Sequence, residues 1–114
     1  MKYMLLMYSK ESAEPSTPEE QEAIQTAWMT LLQAMGTAGV LESTGGLPAG
    51  NATTIRVREG KTLTTDGPFI ETHEQLGGYF LLNCENLDEA IAWASKIPFA
   101  QDGAIEIRPL WAPE

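Results

Sequence analysis

Along residues 2 to 8, KYMLLMY, apolar side chains occupy both alternating faces: Tyr3, Leu5 and Met7 on one, Met4, Leu6 and Tyr8 on the other. A strand that is apolar on both faces is buried on both sides. The next run, TPEEQEAIQTAWMTLLQAMGTAG, changes period, and Ile24, Trp28, Leu31, Leu32 and Met35 fall at helical spacing. Thr17 is placed to N-cap, Pro18 suits the first helical position and Glu20 completes a capping box. GTAG at 36 to 39 ends the helix.

VLESTGGL, residues 40 to 47, is a short strand closed by Gly45, Gly46 and Pro48. TTIRVRE and KTLTTD then form a hairpin around Gly60. An odd-length loop such as Arg58-Glu59-Gly60 would put Ile55 and Leu63 on one face, which a two-residue loop would not. GGYFLLNC, residues 77 to 84, is again apolar on both faces. Asn86 caps a second helix, with Leu87, Ala90, Ile91, Ala94 and Ile97 as its inward stripe, Trp93 off that stripe and Pro98 as its stop. In GAIEIRPLW, Ile105 and Ile107 alternate with Glu106 and Arg108, the mark of a half-exposed strand.

The order is β-α-β-β-α-β with an inserted β-hairpin, which predicts a ferredoxin-like α+β sandwich in one domain over 1–114. The first and third core strands lie at the centre of such a sheet, and these are the two that read apolar on both faces. Two helices cover only one side. The other side is expected to be covered by a second copy, giving a homodimer of the dimeric α/β-barrel type through packed sheets, with more than about 1,200 Å² buried.

Composition narrows the partners. Sixteen acids against seven bases give a net charge of -9, which opposes direct nucleic acid binding. No apolar run approaches a membrane span or the core of a signal peptide, and the one cysteine, Cys84, excludes an internal disulfide or a Cys-rich zinc site. The chain therefore reads as cytoplasmic, with no membrane partner, metal or cofactor.

TTDGPFIETHEQLGGYFLL, followed by the LDEAIAWASKIP helix and the IEIRPL strand, resembles the YCII-related family and its DGPF subfamily. The opening MKYMLLMY, the AGVLESTGGL step and the ATTIRVREGKTLTTDGPF hairpin extend the resemblance over nearly the whole chain. The resemblance implies the same fold, usually dimeric, and members of largely uncharacterised role. Related proteins have been suggested to be enzymes because a His and an Asp meet in a cleft. DGPF members often occur beside extracytoplasmic-function sigma factors, implying a sigma-factor link and an accessory role. Asp66, Gly67, Pro68 and Phe69 match the subfamily motif directly. The position of the wider family's His matches Trp28 here, and many DGPF sequences carry Lys where this chain has His73.

Each candidate has two readings. Asp66, before Gly67 and Pro68, either closes an Asx-type turn or acts as a general acid or base, which needs burial or a partner to raise its pKa. Gly67, Pro68 and Phe69 serve that turn or line a substrate site, and Trp28 is core or a ligand platform. His73, amid Glu71, Glu74 and Gln75, is a solvated cation or a group titrating near neutrality. Glu42 is a further proton-transfer candidate, in a pocket expected between sheet and helices. Gly77-Gly78 reads as a bulge or a close backbone approach. The functional expectation is a dimeric small-molecule-binding or sigma-factor-associated accessory module, with an enzyme using Asp66 as the alternative.

Overall fold

The computed structural model describes residues 1–10, 17–48, 50, 52–67, 74–98, 100 and 103–111. The chain runs β1 (Lys2–Lys10), α1 (Pro18–Ala38), β2 (Leu41–Gly46), β3 (Thr53–Arg58), β4 (Lys61–Asp66), β5 (Glu74–Asn83), α2 (Leu87–Ala94) and β6 (Ala104–Pro109). Four strands form one antiparallel sheet in the order β2-β5-β1-β6, and β3-β4 form a separate two-stranded sheet. This is the ferredoxin-like sandwich with an inserted hairpin. The two doubly apolar strands, β1 and β5, are its central pair.

Both helices start as their sequences dictate. Thr17 accepts from the Glu20 amide at 3.1 Å, and Asn86 accepts from the Glu89 amide at 2.9 Å. Gly39, at φ 73, provides the left-handed turn that ends α1 and donates back to Gly36 and Met35. Tyr3, Leu5, Met7, Phe80 and Leu82 point toward the helices and are buried with Leu31, Met35, Ala90, Ala94 and Ile97. Trp28 stacks on Phe80 with ring centroids 5.9 Å apart. The opposite face carries Met4, Leu6 and Tyr8 beside Leu81, Tyr79 and Leu76, in register across β1 and β5.

Gly77 is the extra residue of a bulge: Met7 pairs with Gly78 while Tyr8 pairs with Leu76. A Cβ at Gly78 would lie 2.8 Å from the Gly45 carbonyl oxygen, so the second glycine is needed for close backbone approach. Gly46 ends β2, with Gly45 inside it.

Two expectations are corrected. The β3-β4 turn has two residues, since Arg58 pairs with Lys61. Glu59 at φ 54 and Gly60 at φ 77 supply the two positive φ values of a type I′ turn, whose twist suits the flanking strands. Ile55 and Leu63 therefore lie on opposite faces. On α2, Leu87 and Ile91 are exposed, whereas Trp93 is half-buried against the core. The inward arc is Ala90, Trp93, Ala94 and Ile97, because the indole fills more of the space beside the core than either aliphatic chain. The Lys96 ammonium caps its ring at 4.8 Å.

The molecule spans 48 × 46 × 17 Å with a radius of gyration of 16.3 Å. A compact chain of this length would have about 13 Å. Its accessible surface is 8479 Å², against about 6,200 Å² expected for a folded monomer of this size. An extent of only 17 Å along one axis makes it a slab, a shape that exposes more surface than a sphere of the same volume.

Candidate functional site

Asp66 is the last residue of β4, opposite Thr53, and its side chain is exposed. The turn after it is held by other groups. The Gly67 amide donates to the Ala52 carbonyl at 2.8 Å, and Thr54 Oγ1 donates to the Gly67 carbonyl at 2.7 Å. Gly67 sits at φ 110, a conformation that disfavours any side chain. Pro68 has no N–H, so the donor two residues ahead that an Asx turn uses is missing. Among the described residues no hydrogen bond reaches the Asp66 carboxylate. Pro68, Phe69 and His73 lie outside the described residues.

Glu42 is the extra residue where β2 slips register between Leu41 and Ser43. Its carboxylate pairs with Lys2 Nζ at 3.0 Å, with both side chains part-exposed. Such a pair contributes at most about 1 kcal/mol. Trp28 is under α1 against Phe80. The four described candidates thus stand in three places: Asp66 and Gly67 on the hairpin root, Glu42 on the sheet edge and Trp28 in the helix layer. The structure does not gather them.

What it does gather lies on the helix-free face. Tyr79 Oη and Ser43 Oγ are 3.1 Å apart, and the Tyr79 ring lies over Gly45, where a Cβ would be 2.9 Å from Cε1. Thr44 Oγ1 donates to the Tyr79 carbonyl at 3.0 Å. A hydroxyl pair therefore sits beside Leu6, Leu81 and Met4 on a mostly apolar sheet face. Sequence reading missed this pair because nothing local links Ser43 to Tyr79. The one signal was a glycine in β2 with an aromatic residue in its partner strand.

Between α2 and β6 a hollow of about 220 Å³ is lined by Ile91, Ala94, Ser95, Ala100, Ile105 and Ile107. It contains no acid or base, and the Ser95 hydroxyl is committed to the Ile91 carbonyl at 2.8 Å. Its described lining therefore offers no proton-transfer group. Cys84 is buried, and burial, reinforced by the Glu89 carboxylate, pushes its thiol up to about 11. That favours an inert thiol. Among the described residues no three His, Cys, Asp or Glu side chains converge as metal ligands would, and no helix is long and apolar enough to cross a membrane.

Residues 1–113 match the YCII-related domain. The chain belongs to the YCII-related family. A relative in sequence, an uncharacterised protein of Rhizobium meliloti (strain 1021), is 37% identical over 96% of this chain and 92% of its own length. In structure the YCII-related chain is similar to 5-chloro-2-hydroxyhydroquinone dehydrochlorinase from Burkholderia phenoliruptrix AC1100, solved in complex with 2,5-dihydroxybenzoquinone. The TM-score is 0.53 at 12% identity, covering 99% of this chain and 96% of that one. At that identity the likeness establishes the fold.

Proposed function

We propose that this YCII-related chain is a homodimeric small-molecule-binding module whose two copies pack their helix-free sheet faces, with the ligand held between them. The observation that carries the reading is the row Met4, Leu6, Tyr8, Tyr79 and Leu81, which lies opposite both helices and is half-buried in the single chain. An apolar face of this extent on a protein of net charge -9 is an interaction surface. Tyr79 and Ser43 give that face a hydroxyl pair able to orient oxygen substituents on a small, largely apolar ring. The accessory role beside a sigma factor implied by the resemblance is compatible with a ligand-responsive dimer. The alternative, proton transfer by Asp66, needs a carboxyl group shielded from water, and Asp66 is exposed.

Light scattering at micromolar concentration is expected to give twice the chain mass, and Leu81→Lys to return the monomer. A wild-type monomer would refute the dimer. The dehydrochlorinase's ligand supplies a probe: titration with 2,5-dihydroxybenzoquinone, followed by amide chemical shifts, should move Ser43, Tyr79 and Leu81. Shifts confined to other parts of an intact dimer would refute that placement of the ligand.

A further inference from the structure

The β3-β4 hairpin is not explained by the sheet-face dimer. It pairs with no strand of the main sheet, and none of its residues belongs to the hydrophobic core. A lone two-stranded hairpin is marginal in water. Its register sorts the side chains into two unlike faces. Thr53, Ile55, Val57, Thr62 and Thr64 share one, with Asp66 at its root; Arg56, Arg58, Lys61 and Leu63 share the other with Thr54 and Thr65. The first face is β-branched throughout and uncharged along its length, yet Ile55 is 64% and Val57 58% exposed. Stiff β-branched side chains are suited to a packed sheet surface.

Charge points to what covers it. Residues 53–66 hold three bases and two acids, whereas the other four bases of the chain face fourteen acids. The hairpin is thus a weakly cationic arm on a strongly anionic body, and a second copy offers that anionic surface. Two bodies of net charge -9 repel, and laying an arm of three bases and two acids on the partner's body reduces that repulsion at the level of the whole element, its bases standing on the outward face. Area points the same way. The surface of 8479 Å² exceeds that of a compact chain by about 2,300 Å². A standard interface removes about 800 Å² from each partner, so the sheet face leaves surplus for an arm.

We infer that the hairpin is an exchanged arm: the Thr53, Ile55, Val57, Thr62 and Thr64 face packs on a second copy of this chain. By two-fold symmetry each copy receives the other's arm. This rests on the sheet-face dimer proposed above.

The test places a benzophenone amino acid at position 57 in one sample and at position 58 in another, on opposite faces of the same strand. Both samples are irradiated at micromolar concentration after light scattering. A covalent dimer formed from position 57, several-fold more than from position 58, is the expected result. An intact dimer that cross-links only within a chain, or equally from both positions, or better from position 58, overturns the arm while leaving the sheet-face dimer standing. A monomer by light scattering overturns both.

Discussion

Cys84 shows how burial governs a single side chain. Its thiol is raised from an ordinary 9.0 to about 11, first by desolvation and then by Glu89. A group whose folded pKa is raised binds its proton more tightly folded than unfolded. The stability it contributes is fully present below pH 9 and is lost as pH rises to about 11, amounting to up to about 3 kcal/mol. Urea unfolding should therefore show a decline over that window that a Cys84→Ala variant lacks. Iodoacetamide at pH 8 should label the thiol only after unfolding; rapid labelling of native protein would contradict its burial. Asp66 is the opposite case. Exposed, and outside the hydrogen bonds that close its turn, it should tolerate Asp66→Ala within about 0.5 kcal/mol in urea unfolding. A larger loss would show that its carboxylate holds the turn.

At the scale of elements, the β3-β4 turn offers a clear test because Glu59 occupies a left-handed conformation at φ 54. Glu59→Asn creates the Asn-Gly pair that type I′ turns favour and should stabilise the hairpin by about 0.5–1 kcal/mol. Slower amide exchange at Arg56 and Leu63, a pair whose amides bond across the two strands, would register it; unchanged exchange would argue against the turn. The same turn marks how far the elements were legible in the sequence. The central strands were legible because apolarity on both faces of residues 3–8 and 79–84 is a local, period-two signal. So were the caps Thr17 and Asn86, whose side chains reach their own helix. The hairpin register was not, since it depends on a glutamate accepting positive φ. The arc of α2 was not, since it is decided by where the Trp93 indole fits. The hydroxyl pair of the candidate site was hidden for a similar reason: Ser43 and Tyr79 meet only after β2 pairs with β5.

The whole molecule is a two-layer slab 17 Å thick with one face dressed by helices and the other bare. If the bare face closes on a second copy, stability becomes a function of concentration. The thermal midpoint should climb by several degrees as protein concentration is raised a hundredfold. A midpoint independent of concentration would speak against a dimer that dissociates on unfolding. The sheet order has a further consequence, for the birth of the protein. β1 lies between β5 and β6, with Tyr3 opposite Pro109. On the ribosome β1, apolar on both sides, is made long before its second neighbour β6. Until residues 104–109 emerge, one edge of β1 stays open, able to template pairing with another nascent chain. Closing a loop of about a hundred residues also gives the fold many non-local contacts, so refolding is expected on the slower millisecond-to-second scale. The window between synthesis of β1 and arrival of β6 is when this chain is most exposed to aggregation and most in need of a chaperone.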